Sequence, residues 1–173
     1  MQMDEGMDTG PIIAQVSLPL TGQERRGELS QQLARLGAEL LLRVLPLWLS
    51  GKIVARPQEH SKATYSRLLR KEDGEIDWSK PATFIERSVR AYSPWPGTYT
   101  KLRGKYLRIW QASVASGEAK APPGTILLEQ HRFQVATGEG LLALEQIQLE
   151  GKRRLEAAAF LRGQHDLNGA HLG

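Results

Sequence analysis

The first apolar cluster, Ile12, Ile13, Val16 and Leu18, is entered from Gly10-Pro11 and stopped at Pro19, a run of strand length. The polar text after it predicts a helix start between Thr21 and Glu28. Thr21 and Glu24 have capping-box spacing, while Gly27 favours the later start. Leu29, Leu33, Leu36 and Leu40 then recur at helical spacing, and Val44 and Trp48 continue the stripe. From Leu40 to Leu49 apolar positions spread around most of the helix, which predicts burial on several sides. One strand and one helix cannot build a core of their own. With only about ten residues before it, this unit reads as the tail of a larger α/β domain.

Residues 51–71 lack periodicity and read as a basic connector with one short turn. Pro81 suits the first turn of a helix whose apolar face is Phe84, Ile85, Val89 and Tyr92, and Pro94 and Pro96 end it. After Gly97 the period changes to two. TYTKL and KYLRIWQASV predict two strands joined at Arg103-Gly104, with Leu107 and Ile109 opposite Tyr106, Arg108 and Trp110. TILLEQ predicts a third strand, with His131 at its border. RFQVAT and LLALEQIQL flank Gly138-Glu139-Gly140 as a hairpin. A last helix is expected over Leu155 to Leu161, and the final ten residues read as frayed. About five short strands with flanking helices predict a closed or nearly closed antiparallel barrel, of which the oligonucleotide-binding (OB) barrel is the obvious example.

Charge changes this picture. Residues 51–110 carry thirteen Lys and Arg against six Asp and Glu, so most of the basic excess lies in the middle third of a chain whose net charge is +4. Such clustering is a footprint for a polyanion or simply a solvated surface. Absence of cysteine excludes disulfides, thiolate nucleophiles and cysteine-ligated metal. No apolar run reaches the roughly 20 residues that cross a bilayer, and the acidic start is unlike a signal peptide, so a cytoplasmic protein is expected.

Three stretches, in order, resemble methionyl-tRNA formyltransferases. MQMDEGMDTGPI at residues 1–12 is similar to the loop and strand that close the active site of folate-dependent formyltransferases, including those acting on sugar nucleotides and glycinamide ribotide. LRKEDGEIDWSKPATFIERSVRAYSPWPGTYT at residues 69–100 is similar to the start of the family's C-terminal domain. The third, APPGTILLEQHRFQVATGEGLLALEQIQLEGKRRLEAAAFLRG at residues 121–163, is similar to its barrel strands and last helix. The resemblance implies an α+β chain in three parts. Residues 1–52 are the remnant strand and helix of a Rossmann-like formyltransferase domain, 53–72 a basic linker, and 73–173 an OB-like antiparallel β-barrel with flanking helices.

The implied chemistry moves a formyl group from 10-formyltetrahydrofolate to the amino group of methionyl initiator tRNA, without a metal. The family uses an Asn–His–Asp trio, and Asp8 matches the Asp, implying that it holds and polarises the histidine and helps to relay the amine proton. Backbone around Asp4, Glu5, Gly6, Met7 and Asp8 would line the pterin end of the folate pocket. The family's Asn-x-His has no counterpart: His60, His131, His165 and His171 all follow Asp8 in other contexts. The chain alone is therefore expected to be inactive, with a missing N-terminal half as a partner beside the tRNA. Without the resemblance Asp8 is an ordinary turn residue, and Asp4 and Glu5 are solvated acids.

Candidate phosphate contacts are Lys62, Arg67, Arg70, Lys71, Lys101, Arg103, Lys105, Lys152, Arg153 and Arg154. Trp78 and Trp95 read as core anchors. Trp110 and Tyr106, alternating with Arg108, read either as a base-stacking face or as packing. Two other functions stay open: a stand-alone OB-like nucleic-acid-binding or interaction module, and a fragment of a sugar-nucleotide formyltransferase.

Overall fold

A computed structural model describes residues 1–129 and 132–173; the expectation for His131 falls outside them. The chain divides into two units, Met1–Leu68 and Leu69–Gly173.

In the first unit the expected strand over residues 12–18 does not form. Its one ladder contact is the antiparallel bridge between Ile12 and Arg56, closed by hydrogen bonds of 2.8 and 2.9 Å. Pro11 and Pro19 and the absence of a longer partner strand account for this. Helix α1 spans Arg26–Leu49. Thr21 and Glu24 do bond, through the Thr21 N–H and hydroxyl to Glu24 Oε1, but as a turn before the helix. Leu29, Leu36, Leu40, Val44 and Trp48 form its half-buried stripe, whereas Leu33, Leu41, Leu42 and Leu49 are exposed. No residue of α1 is buried. Among the described residues no helix is long and apolar enough to cross a membrane.

The second unit is a helix-flanked antiparallel sheet. A 3-10 turn, Lys71–Gly74, leads to α2 (Ala82–Ala91), whose Ile85 and Val89 are buried. Phe84, expected on the same face, is 55% exposed, since its position points away from the arc defined by residues 82, 85 and 89. The strands are β1 (Thr98–Leu102), β2 (Lys105–Ala115), β3 (Ile126–Glu129), β4 (Arg132–Ala136), β5 (Leu141–Leu149) and the short β6 (Leu155–Glu156). Arg103 and Gly104 both take positive φ, 52° and 78°, as the tight turn between β1 and β2 requires. The tip between β4 and β5 is pinned by Thr137, whose hydroxyl donates to the Glu139 and Gly140 carbonyls.

Strand order is β1-β2-β5-β4-β3, with β6 pairing β5, so the sheet path is open. Its two edges, β1 and β3, are bridged by the C-terminal segment. Gly173 N–H donates to Lys101 O, Leu172 N–H to Gly124 O and Ile126 N–H to Ala170 O. Leu167 and Leu172 are buried in the core beside Leu107, Ile126, Phe133, Leu142 and Ile147. The tail is thus a structural element, contrary to its expected fraying. Its short alternating apolar residues are too few to register as a strand. The last helix, α3 (Ala157–Leu161), is shorter than expected because Leu155 and Glu156 are spent on β6.

Candidate functional site

Two regions carry the sequence candidates, one in each unit. In the first, Asp4 Oδ1 accepts from Gly6 N–H at 3.2 Å and from the Thr9 hydroxyl at 2.6 Å, curling residues 4–9 into a tight loop. Asp4, Glu5, Gly6, Met7 and Asp8 are all exposed, Met7 at 80%. Asp8 has φ +55°. The residue that holds the loop is Gln58, whose Nε2 donates to Asp8 O at 2.8 Å and to Gly10 O at 2.7 Å. Gln58 was not recognisable from sequence, because a side-chain amide reaching a loop about fifty positions away leaves no local pattern.

Beside the loop lies a cleft of about 790 Å³ lined by Asp8, Met7, Arg56, His60, Lys62 and Tyr65, among others. Asp8 and His60 share it, yet no hydrogen bond joins them among the described residues. Lys62 pairs with Glu59 at 2.7 Å, and Arg67 Nη1 donates to Leu68 O. Elsewhere His165 O accepts from Arg103, and the His171 ring lies 2.9 Å from Pro123 O. No group of three His, Asp or Glu able to hold a metal occurs among the described residues.

In the second unit the outward positions of three strands meet on one sheet face. β2 alternates buried Leu107 and Ile109 with outward Tyr106, Arg108 and Trp110. The register sets Tyr99 beside Arg108 and Lys101 beside Tyr106 on one side, and Gln148 beside Arg108 on the other. Tyr99 and Tyr106 meet edge to face, their centroids 5.4 Å apart, and burial pushes the Tyr99 hydroxyl pKa up. Lys101 Nζ stands 5.9 Å from the Tyr106 ring centroid. Two guanidiniums lie over Trp110: Arg108 Cζ at 4.1 Å from the ring centroid and Arg154 Cζ at 4.9 Å. The indole Nε1–H donates to Gln148 Oε1 at 3.0 Å.

The structure therefore brings Lys101 and Arg154 onto this face and adds Arg108, which the phosphate candidates had omitted. Its alternation with Tyr106 and Trp110 was the available signal. Arg103 is differently engaged, Nη2 donating to His165 O and Asp166 O at 2.8 and 3.0 Å, so it ties down the C-terminal segment. Lys105, Lys152 and Arg153 are exposed at strand ends, and Arg70 and Lys71 are exposed at the 3-10 turn. Trp78 is a core residue whose indole donates to Thr100 Oγ1. Trp95 is not; it is 51% exposed, because two flanking prolines hold its segment outside the regular elements.

Residues 68–165 match the family described as "Formyl transferase, C-terminal domain". A methionyl-tRNA formyltransferase of Roseiflexus castenholzii is 47% identical over 174 aligned residues, taking in 100% of this chain and 56% of that protein. The chain thus spans about half the length of this relative. Among solved structures, HypX from Aquifex aeolicus in complex with tetrahydrofolic acid superposes with a TM-score of 0.65 over 91% of this chain and 28% of its own, at 19% identity. An N-formyltransferase from Helicobacter canadensis, in complex with folinic acid and dTDP-3-aminofucose, gives 0.59 over 82% and 52%, at 17% identity. At those identities the two structures speak for the fold. The family match runs from the 3-10 turn through β6 and α3, so the sheet that carries the Trp110 face is the family's own domain, and the chain belongs to the formyltransferases through that C-terminal domain.

Proposed function

We propose that this chain serves as the tRNA-side part of a methionyl-tRNA formyltransferase, which moves a formyl group from 10-formyltetrahydrofolate to the amino group of methionyl initiator tRNA. The observation that carries the reading is the likeness to a methionyl-tRNA formyltransferase along the whole chain. In this reading residues 73–173 are an OB-like barrel whose seam is completed by the C-terminal segment. Residues 1–52 are the last strand position and helix of a Rossmann-like donor domain, joined through the linker 53–72. The aromatic and basic sheet face supports a nucleic-acid substrate over a sugar nucleotide, since a short sugar ligand has no use for an extended positive surface.

Amine attack on the formyl carbon generates a tetrahedral oxyanion and releases a proton. The cleft beside the 4–9 loop suits the donor in size and lining. Met7 and Tyr65 offer apolar and aromatic surface to a pterin, and Arg56 and Lys62 offer charge to its carboxylates. The donor, when bound, supplies the formyl carbon. Asp8 contributes a carboxylate at the cleft that can orient an imidazole and accept a relayed proton. The sole asparagine, Asn168, is occupied elsewhere, accepting from Leu128 N–H, so the reading takes the trio's Asn and His from residues outside this chain.

The test is formyl transfer to methionyl-tRNA by this chain, with and without an added N-terminal donor domain from a close relative. Activity only in the mixture, abolished by Asp8→Asn, is the expected result. Transfer by the chain alone contradicts the incomplete trio. Inactivity of the mixture together with tRNA binding insensitive to salt removes the reading.

A further inference from the structure

The face around Trp110 has a feature that general basicity does not explain. Arg108 and Arg154 converge on one indole, so two like charges are held close together. Among the described residues neither guanidinium pairs with a carboxylate. Arg108 Nη2 donates to Pro94 O at 2.6 Å, Arg154 Nη2 donates to Gln146 Oε1, and both acceptors are neutral. Stacking uses the flat face of a guanidinium, and each of these arginines keeps further N–H donors along its edge.

The arrangement is also built. Trp110 sits at a β-bulge, where the register steps from the Ile109–Ile147 pair to the Gln111–Gln146 pair. Bulges re-aim a side chain, and here the indole is fixed by Gln148. Gly97 leaves the space that the Arg108 guanidinium fills. Gln146, which accepts from Arg154, is itself held through its Nε2 to Glu156 Oε1 at 2.7 Å. Two arginines positioned this way, with charge left uncompensated, match a bidentate oxyanion. Lys101 on the same face extends the positive surface along the strands, as a polyanion requires.

We infer that Arg108, Trp110 and Arg154 form a grip for one backbone phosphate of a bound RNA. The inference rests on the tRNA reading and gives it a specific contact. The full chain is titrated with an initiator tRNA transcript across a range of salt, beside Arg108→Gln/Arg154→Gln and a charge-matched control, Lys120→Gln/Arg162→Gln. Loss of one phosphate contact predicts binding roughly tenfold weaker at low salt and a slope of log K against log salt smaller by about one. The control is expected to bind as the unmodified chain does. The Trp110 indole N–H resonance, assigned by its loss in Trp110→Phe, reports the site without altering the arginines. It shifts on adding tRNA and not on adding an equal concentration of inorganic phosphate.

Unchanged affinity and slope in the double variant, or a motionless Trp110 resonance at saturating tRNA, overturns the grip and leaves the tRNA reading standing. Equal weakening by the control pair also overturns it, since that reports diffuse charge. No salt-sensitive binding by the unmodified chain removes both.

Discussion

Gly97 and Arg108 occupy adjoining space so closely that a β-carbon on Gly97 would stand 2.6 Å from Arg108 Nε and 2.7 Å from its Cζ. Gly97 also has φ +77°, a conformation that costs a side-chain-bearing residue about 1–2 kcal/mol. The SPWPG stretch therefore does more than end α2: Pro94 supplies the carbonyl and Gly97 the room that set Arg108 on Trp110. Gly97→Ala is expected to lower stability by about 1–3 kcal/mol in urea unfolding, adding strain to the displaced guanidinium. It is also expected to shift the Trp110 indole resonance. A variant as stable as the parent, with that resonance unmoved, would show that Arg108 is not held there.

The C-terminal segment gives a second prediction. Leu172 is fully buried; its N–H donates to Gly124 O just ahead of β3, and it bridges Leu102 of β1. Leu172→Ala is expected to cost about 2–5 kcal/mol, as large-to-small core substitutions do. A loss below 0.5 kcal/mol in chemical denaturation would return the segment to the frayed tail that its sequence implied.

That misreading shows where sequence legibility ended. The strands of the second unit and their turns were readable because alternation and Arg103-Gly104 are local signals, and buried Leu107 and Ile109 follow from period two. Leu167 and Leu172 are isolated apolar residues in polar text, and only the sheet's two open edges give them a destination. The same holds at the site. Asp8 is a candidate only through a resemblance and the outward position of Trp110 follows from alternation, whereas Gln58, Gly97 and Gln148 act through contacts distant in sequence. In the first unit the bounded apolar run predicted a strand, and a segment held by the single Ile12–Arg56 bridge does not form one.

The α1 stripe is half-buried, and no residue of the helix is buried outright, whereas Ala82, Ile85 and Val89 of α2 lie in the core. Protection from exchange follows burial and packing, so α1 amides are expected to exchange well before those of α2 in the isolated monomer. Equal protection, in a sample shown by light scattering to be monomeric, would contradict this. If α1 alone gains protection as concentration rises, its exposed leucines are the surface through which copies associate.

Acid loosens the turn before α1. The N–H of Thr21, then its hydroxyl, bond the Glu24 carboxylate and hold its pKa at about 2, below the usual 4.5. A depressed carboxylate stabilises the turn above the ordinary value, and the contribution fades as pH falls from about 4.5 toward 2. The bonds to Glu24 come from Thr21 and Gly22, so the effect acts on residues 21–24. Side-chain carboxyl NMR should give a midpoint near 2, and Thr21→Val should raise it part of the way, since the backbone donor survives. A parental midpoint at the ordinary value would show that the turn is open in solution.

Gln58 decides whether the Asp8 loop is set or loose. One carboxamide satisfies two carbonyls, Asp8 O and Gly10 O, at 2.8 and 2.7 Å, and the bridge between Ile12 and Arg56 lies directly alongside. Gln58→Leu removes both donors, at about 0.5–1.5 kcal/mol each. Gln58→Glu is worse, because it turns a carboxylate toward two carbonyl oxygens. The Ile12 and Arg56 amides, which bond each other's carbonyls, are the reporters. Their exchange is expected to quicken in the order parent, Leu, Glu, while α2 amides keep the parental rate. Should the Leu variant leave the Ile12 amide as slow as in the parent, the loop is fixed by the bridge itself. Asp8 would then owe its φ of +55° to the Asp4–Thr9 turn rather than to Gln58.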